Sequence, residues 1–206
     1  VADKALSYAH LQYFLRDAVE QNKPVEASRF AVLMFGQGSR KAFDEMYKNP
    51  MRWLAVQPKA PRDRMSQEMV SVALARLART DREPGDAYVR REWAGQLPAE
   101  DLAWVRSQFA IIAALNLDNR AHQWYVEAGH IPMTEYSQAW KVRSALRQPR
   151  IDWKWVDASI AYMPQSQRDE TVWVYWRARA RVALGQGDTA RTMYATIADK
   201  HDFYGQ

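Results

Sequence analysis

Apolar side chains recur every three to four positions along almost the whole chain, the spacing that places them on one face of an α-helix. Segment 62–79 is the clearest example, with Met65, Met69 and Val72 on its apolar face. Alternation with a period of two, which would predict strands, is hard to find. The pattern predicts about eleven helices in series, separated by breaking residues at Gly36, Pro50, Pro61, Gly129, Pro164 and Gly185.

Many helices joined by short turns are typical of an α-solenoid rather than a four-helix bundle. The tryptophans at positions 93, 104, 124, 140, 153 and 173 keep no fixed period, so a regular repeat of about 34 residues is not favoured. The predicted fold class is therefore all-α, an irregular α-superhelix (solenoid) of antiparallel hairpins. Segment 58–61, with a proline at each end, is the best candidate for a rigid joint. It divides the chain into an N-terminal helical segment, 1–57, and a helical-repeat segment, 62–206.

Composition and charge restrict the classes of partner. With 48% hydrophobic residues among 206, the chain can supply a core, and it has no cysteine for disulfides, thiolate metal sites or a thiol nucleophile. The formal net charge of +5 permits acidic partners such as nucleic acid, anionic lipid or an anionic wall polymer. No block of Lys and Arg marks a nucleic-acid arm, so a solvated surface is the preferred explanation and nucleic acid the weakest partner hypothesis.

The longest apolar run, 109–115, is far shorter than the roughly 20 residues that a membrane-spanning helix needs. We therefore predict no membrane span.

No catalytic constellation is present in the sequence. The four histidines, His10, His122, His130 and His201, never occur at the i, i+4 spacing that puts two imidazoles on one helical face, so neither a metal site nor a cofactor is predicted. Adjacent acids such as Glu100-Asp101 are explained by helix starts, where they favour the positive end of the helix dipole. The Gly-x-Gly pairs lack the Lys-Ser/Thr of a phosphate loop, and no Gly-x-Ser-x-Gly occurs.

Segment 168–205 is the most informative part of the chain. A helix rich in Trp and Arg is followed by a turn at Gly185 and a second helix, which together predict a helical hairpin. Ser166 and Asp169 are spaced as a capping box at the start of the first helix, and Asp188 is placed to cap the second.

This hairpin closely resembles the end of the superhelical domain of soluble lytic murein transglycosylases. The resemblance is carried by Tyr175-Trp176-Arg177-Ala178-Arg179-Ala180, Gly185, Ala190-Arg191, Tyr194 and Phe203-Tyr204-Gly205. It implies a right-handed superhelix that, in the family, leads through a linker into a lysozyme-like catalytic domain. Here the sequence stops at Gln206.

Upstream segments are similar to the repeats of the same family, and the resemblance is good from about residue 74 to 205. The family's catalytic signatures, Glu-Ser, Gly-Leu-Met-Gln and Ala-Tyr-Asn-Ala-Gly, are absent, so we expect a non-catalytic piece of an enzyme whose catalytic domain is missing from this chain. The matching residues are Trp140, Arg143, Ala145, Leu146, Arg147, Trp153, Val156, Ile160, Met163 and Pro164, with an earlier repeat at Leu74-Ala75-Arg76-Leu77-Ala78-Arg79-Thr80-Asp81 and Trp93.

Aromatic rings beside basic groups suit stacking on sugar rings and pairing with carboxylates, as a glycan with acidic stem peptides requires. Most tryptophans of a helical solenoid fill the space between helices, so Trp153 and Trp173 are predicted to be core, while Trp155 and Trp176 are open between core and surface. The candidate glycan-binding residues are Arg143, Arg147, Trp176, Arg177 and Arg181.

The resemblance implies a periplasmic parent enzyme that cleaves the MurNAc to GlcNAc bond of peptidoglycan without water, leaving a 1,6-anhydro end, through a glutamate of its catalytic domain. This chain is expected to be a monomer that positions glycan strands and supports the parent's own C-terminal catalytic domain. The alternative hypothesis is a free-standing helical-repeat scaffold that binds a protein partner.

Overall fold

The computed structural model describes residues 6–200 and 203–204, which contain thirteen α-helices, a 3₁₀ turn and a π turn and no strand. The all-α prediction is confirmed. The count exceeds eleven because Pro50–Leu54 and Gln165–Arg168 form short helices of their own. The helices are α1 (Tyr8–Glu20), α2 (Pro24–Phe35), α3 (Arg40–Lys48), α4 (Pro50–Leu54), α5 (Arg64–Thr80), α6 (Arg82–Tyr88), α7 (Ala99–Leu115), α8 (Ala121–Ala128), α9 (Glu135–Leu146), α10 (Trp153–Ala161), α11 (Gln165–Arg168), α12 (Thr171–Ala183) and α13 (Gly187–Ala195); the 3₁₀ turn is Gln37–Ser39 and the π turn Val89–Trp93.

The chain divides into two compact units, with the division between Ile112 and Ala113 inside α7. The joint predicted at 58–61 lies within the first unit, in the loop between α4 and α5. The two divisions of the chain therefore fall at different places. The assignment of 1–57 and 62–206 as separate segments stays a prediction.

Helix α5 forms the centre of the first unit. Its residues from Glu68 to Ala75 are all buried, as are Leu77 and Ala78, and α1, α3, α4 and α6 pack against it. A helix surrounded in this way can keep a wide apolar surface dry, which explains why Val72, Ala73 and Leu74 are successive buried residues.

A buried polar network joins three helices of the first unit. The Arg16 guanidinium on α1 donates to Glu68 on α5 at 2.7 and 2.9 Å and to Asp101 on α7 at 2.5 Å. Gln12 donates to the same Glu68 carboxylate at 2.6 Å, and the Trp104 ring lies 4.4 Å from the guanidinium carbon. Desolvation by burial acts to lower the pKa of Arg16, but hydrogen bonds and charge pairing with the two carboxylates outweigh it and the pKa is raised.

Helices α9, α10 and α12 enclose the core of the second unit. The fully buried residues are small or branched around one large ring, that of Trp173, which is 2% exposed. Such rings bury a large apolar area and fix the spacing between helices. The core consists of Ala139, Val142, Ala145, Val156, Ile160, Met163, Trp173 and Ala180.

Helix α9 is buried on its polar side as well. Ser137, Lys141 and Ser144, spaced i, i+4 and i+7, would be taken for a solvent-facing stripe by sequence, but all are buried. Each has internal partners: the Ser137 hydroxyl lies 3.2 Å from the Tyr125 hydroxyl, and the Ser144 hydroxyl donates to the Lys141 carbonyl at 2.8 Å.

The helix ends confirm most of the predicted breakers and correct two predicted caps. Gly129 and Gly185 have φ angles of 71° and 77°, the left-handed conformation that glycine adopts without strain after a helix. Ser166 does not cap α12, because it lies inside the extra turn of α11, and α12 begins after Glu170 without a side-chain cap. Asp188 lies within the first turn of α13 rather than at its N-cap, which is Gln186.

Candidate functional site

The closing hairpin consists of α12, α13 and residues 203–204, and it carries a cluster of aromatic rings around Tyr175. The Tyr175 ring centroid lies 5.4 Å from Trp176, 6.0 Å from Tyr194 and 5.2 Å from Tyr204. Arg179 is exposed and donates to the Tyr175 hydroxyl at 3.1 Å. The hairpin thus combines partly exposed rings with an exposed guanidinium, groups that suit contact with a sugar face and an acidic substituent. Gly205 and His201 lie outside the described residues.

Arg177 and Arg181 converge on one carboxylate, that of Asp157 on α10. Arg181 donates to both Asp157 oxygens at 2.8 Å, and the Arg177 Nε donates at 3.1 Å. The side chains of the three residues are only 16–25% exposed. The i, i+4 spacing of the two arginines places both over α10, which accounts for this shared partner. Their assignment as glycan-binding residues stays a prediction. Two cations sharing one anion still leave an excess positive charge at this position.

Arg143 and Arg147 lie at different places on α9. Arg143 is exposed, and its guanidinium carbon is 5.4 Å from the Trp140 ring centroid and 5.5 Å from that of Trp173. Arg147 is also exposed and donates to the carbonyl of Leu117 at 3.4 Å. The structure therefore brings Arg177 and Arg181 together, whereas no contact joins them to Arg143 or Arg147 within the described part of the chain.

The tryptophans of the second unit show a gradation of burial. Trp173 is core, as predicted. Trp153, predicted to be core, is only partly buried, and Trp155 and Trp176 share that state as they pack against the same core. Trp176 therefore supports the packing of α12 while it keeps part of its ring accessible.

A second cluster surrounds Lys141, which sequence analysis did not single out. The Lys141 side chain is completely buried, and its Nζ donates to the Gly129 carbonyl at 2.7 Å and lies 3.0 Å from Nδ1 of His130. The ammonium is 5.0 Å from the Trp155 ring centroid and 5.9 Å from that of Tyr162. Burial lowers the pKa of Lys141 to about 8, from an ordinary 10.5.

His130 forms the outer part of this cluster. The residue is exposed, and its ring stacks on Trp155 with centroids 4.7 Å apart and planes inclined by 29°. Desolvation, together with the neighbouring Lys141 charge, lowers the pKa of His130. The imidazole is thus neutral at pH 7.

Sequence reasoning missed Asp157, Lys141 and His130 for a physical reason. Each of them contacts a partner on another helix or turn, and the spacing of residues in the sequence does not predict such a contact. The only available signal was the Lys141 position itself, directly between the apolar residues Trp140 and Val142.

Other site types have no counterpart in the described residues. Within 6–200 and 203–204, no group of three or more His, Asp or Glu is placed to hold a metal ion. Over the same residues, no helix has the length and apolar character to cross a bilayer. A shallow depression beside Trp140 and Arg147 has room for only about one water molecule, roughly 10 Å³, too little for a sugar ring.

Comparison with known proteins finds similarity at the level of structure. No protein-family model and no curated protein sequence matches the chain. An inactive mutant of the lytic transglycosylase Slt from Pseudomonas aeruginosa superposes with a TM-score of 0.60 at 23% identity, covering 97% of this chain and 33% of that one. The 70 kDa soluble lytic transglycosylase SLT70 from Escherichia coli superposes with a TM-score of 0.58 at 19% identity, covering 96% and 32%.

A complex of the 70-kDa soluble lytic transglycosylase with bulgecin A gives the same TM-score, 0.58, at 20% identity. The chain spans about a third of the length of these structures. The resemblance seen in the sequence is confirmed as a likeness of fold.

Proposed function

We propose that the chain is the non-catalytic superhelical part of a peptidoglycan lytic transglycosylase. In this role it positions glycan strands and supports the catalytic domain of a parent enzyme that releases 1,6-anhydromuropeptides. The observation that carries the proposal is the likeness in fold to two soluble lytic transglycosylases over 96–97% of this chain. Fold alone does not specify activity, so the residues exposed on the surface must also fit a glycan ligand.

The surface of the second unit fits an acidic glycan better than nucleic acid. Its residues 113–206 contain twelve Lys and Arg and ten Asp and Glu, a nearly balanced charge that does not favour a partner carrying many phosphates. Instead, single guanidiniums lie beside aromatic rings, as Arg143 does at Trp140 and Arg179 at Tyr175 and Trp176. A carbohydrate offers apolar C–H faces to such rings, and its acidic substituents pair with the neighbouring guanidinium.

The proposal assigns no catalytic residue to this chain. The carboxylates of Asp157, Glu68 and Asp101 are all engaged by arginines. We therefore expect purified murein sacculi incubated with the chain to release no anhydromuropeptides, measured by chromatography of the digest against a blank. Anhydro products above that blank would assign a catalytic group to this chain and contradict the proposal.

Binding to sacculi is the direct test. The chain should sediment with purified sacculi at low salt and progressively less as salt increases, because exposed charges are screened within about 10 Å at 0.1 M ionic strength. The double variant Arg143→Ala and Arg179→Ala should lower the sedimented fraction severalfold. A matched control is Arg29→Ala with Arg52→Ala, which removes two exposed charges from the first unit.

The outcomes separate three cases. Loss of binding in the first double variant but not in the control supports a glycan-positioning surface on α9 and α12. If the two double variants lose binding equally, the interaction depends on the net charge of the protein rather than on a particular surface. Absence of binding at any salt would contradict glycan positioning and favour the alternative, a helical-repeat scaffold for a protein partner.

The location and partners belong to the same proposal. A domain that positions peptidoglycan strands works in the periplasm, and its nearest protein partner is the parent's own catalytic domain. We expect a monomer, with no nucleic acid and no cofactor involved. Size-exclusion chromatography with light scattering at several protein concentrations measures the oligomeric state.

A further inference from the structure

The ammonium of Lys141 is buried, and no counter-charge contacts it among the residues that the structure describes. Within the described part of the chain, it contacts the Gly129 carbonyl, His130 Nδ1 and the rings of Trp155 and Tyr162, and all four are uncharged at neutral pH. Burial alone accounts for the lowered pKa, with no acidic side chain opposing it. Because that pKa of about 8 still lies above 7, the group is mostly protonated at neutral pH. A buried charge without a partner is costly and rarely retained for stability alone.

Lys141 also determines which nitrogen of His130 carries the proton. An ammonium can only donate, so His130 Nδ1 accepts from it and the ring proton lies on Nε2. His130 is exposed, and no partner is found for its Nε2 within residues 6–200 and 203–204. The Nε2–H group is therefore a free donor at the surface. Since the other ring nitrogen accepts from a cation, polarisation along the chain of hydrogen bonds strengthens that donor.

The surroundings are rich in donors and short of acceptors. The indole N–H of Trp155 is buried without an acceptor, beside the ammonium and the His130 ring. Tyr162, 42% exposed, and the partly buried Trp155 supply apolar ring surface next to His130, with ring centroids 5.5 and 4.7 Å from that of the imidazole. A ligand that completes this cluster must be an acceptor, must be negatively charged and must have an apolar part beside its charge. A carboxylate on a short carbon chain meets all three conditions.

We propose that the His130–Lys141 pair, between Trp155 and Tyr162, binds a carboxylate group of the peptidoglycan ligand. The carboxylate accepts from His130 Nε2–H, the Lys141 charge acts on it through the imidazole, and the two rings pack against the adjoining carbons. This inference rests on the proposed function and adds to it a contact for the acidic substituent of the strand. Such a carboxylate is free on the lactyl group of muramic acid where the stem peptide has been removed, and at the end of the stem peptide where it is present. The experiment separates these two sources.

The test is an NMR titration of the protein labelled with nitrogen-15, following the His130 ring nitrogens and the Trp155 indole. The probes are N-acetylmuramic acid, the dipeptide D-alanyl-D-alanine and the uncharged N-acetylglucosamine. We expect saturable shifts of both groups with at least one of the two carboxylates and none with N-acetylglucosamine. A response to muramic acid alone identifies the lactyl group, and a response to the dipeptide identifies the stem peptide.

His130→Phe keeps a ring to stack on Trp155 but removes the donor, and it should weaken binding of the responding carboxylate about tenfold or more. His10→Phe, which alters an exposed histidine of α1, is the matched control and should change nothing. Equal responses to charged and uncharged sugars, or unchanged affinity in His130→Phe, would overturn the inference. So would the absence of any shift with both carboxylates.

The two proposals fail in different ways. If the protein sediments with sacculi but neither carboxylate shifts His130 or Trp155, the carboxylate site is wrong and the glycan-positioning function stands. If a carboxylate shifts both groups but sacculi are not bound, the proposed function is wrong, and His130–Lys141 remains a carboxylate site for another ligand.

Discussion

The two compact units treat a buried charge in opposite ways. In the first unit, the Arg16 guanidinium is held by two carboxylates, those of Glu68 and Asp101, and the Gln12 amide also donates to Glu68. All of these groups belong to the protein itself. In the second unit, the Lys141 ammonium contacts uncharged groups alone among the described residues, and its outermost partner, His130, is exposed. The first arrangement is complete and serves to join α1, α5 and α7. The second lacks an anion, so it has electrostatic free energy to gain from one supplied by a ligand.

The choice of cation is consistent with this difference. Arginine offers a planar fork that two carboxylates can share, and it keeps its charge even when it is desolvated. Lysine is a compact charge whose pKa responds to burial, as that of Lys141 does. The network in which the cation is paired with carboxylates is therefore built on arginine, and the one in which the cation has a lowered pKa is built on lysine.

The largest effect is expected from removing the cation of the complete network. Arg16→Met leaves Glu68, which is 1% exposed, and Asp101 as buried carboxylates without their cation, and it should lower the free energy of unfolding by about 3–5 kcal/mol. Urea denaturation followed by circular dichroism measures it. Arg91→Met is the control, because Arg91 is 71% exposed and its pair with Glu92 should contribute little to stability. If the two variants lose similar amounts of free energy of unfolding, the buried network contributes no more to stability than an exposed ion pair.

The buried Lys141 should make the stability of the protein depend on pH. The pKa of Lys141 is about 8 in the folded protein and about 10.4 in an unfolded chain, so between these values the unfolded state binds more protons and stability rises with pH. From pH 7 to 10.5, the free energy of unfolding of the wild type relative to Lys141→Met should increase by up to about 3 kcal/mol.

Urea denaturation at pH 7, 8.5 and 10 measures this difference. Lys154→Met, which changes an exposed lysine of α10, should run nearly parallel to the wild type over the same range. If Lys141→Met also runs parallel, Lys141 titrates as an ordinary surface lysine and the contrast between the units disappears.

An intermediate effect is expected at Asp157, where two guanidiniums share one carboxylate at the edge of the core. Asp157→Asn should cost about 1–2 kcal/mol, less than the Arg16 variant because these groups are partly exposed to water. The matched control is Asp188→Asn, whose carboxylate is 99% exposed and should contribute almost nothing. If Asp157→Asn loses no more stability than Asp188→Asn, the pairing of Arg177 and Arg181 with Asp157 contributes nothing measurable to the free energy of unfolding.

The smallest effect is expected at Arg147. Its side chain is exposed, with one 3.4 Å hydrogen bond to Leu117, so Arg147→Ala should change the free energy of unfolding by less than about 0.5 kcal/mol. Thermal unfolding monitored by circular dichroism is sufficient. A larger loss would mean that Arg147 holds the turn between α7 and α8 in place.

Much of the helix pattern follows from local rules. Thr134, the N-cap of α9, accepts from the Ser137 amide at 3.1 Å, and the predicted stop at Gly185 has the expected positive φ. These features depend on groups within a few positions of each other. Ser166 misled the prediction for a related reason: the residues after Pro164 satisfy the capping rules one turn too early, and the chain forms the short α11 before α12 begins.

The candidate site was less predictable than the fold. The motif around Trp176, Arg177 and Arg181 marked the closing hairpin, but it did not predict that both arginines pair with Asp157, which lies 20 and 24 positions earlier on another helix. Lys141 was passed over because its turn-side partners, Gly129 and His130, carry no motif.

The sequence by itself determined the class of the protein: period-three-to-four apolar spacing, helix breakers and the hairpin motif are local properties, and they specify a chain of packed helices with the likeness found to lytic transglycosylases. Only the tertiary structure decided the burial and the partners of each polar side chain. Whether Glu68, Asp157 or Lys141 is solvated, paired or buried alone depends on which helix packs over it, and the free energy of a charge depends on those neighbours rather than on the residue type.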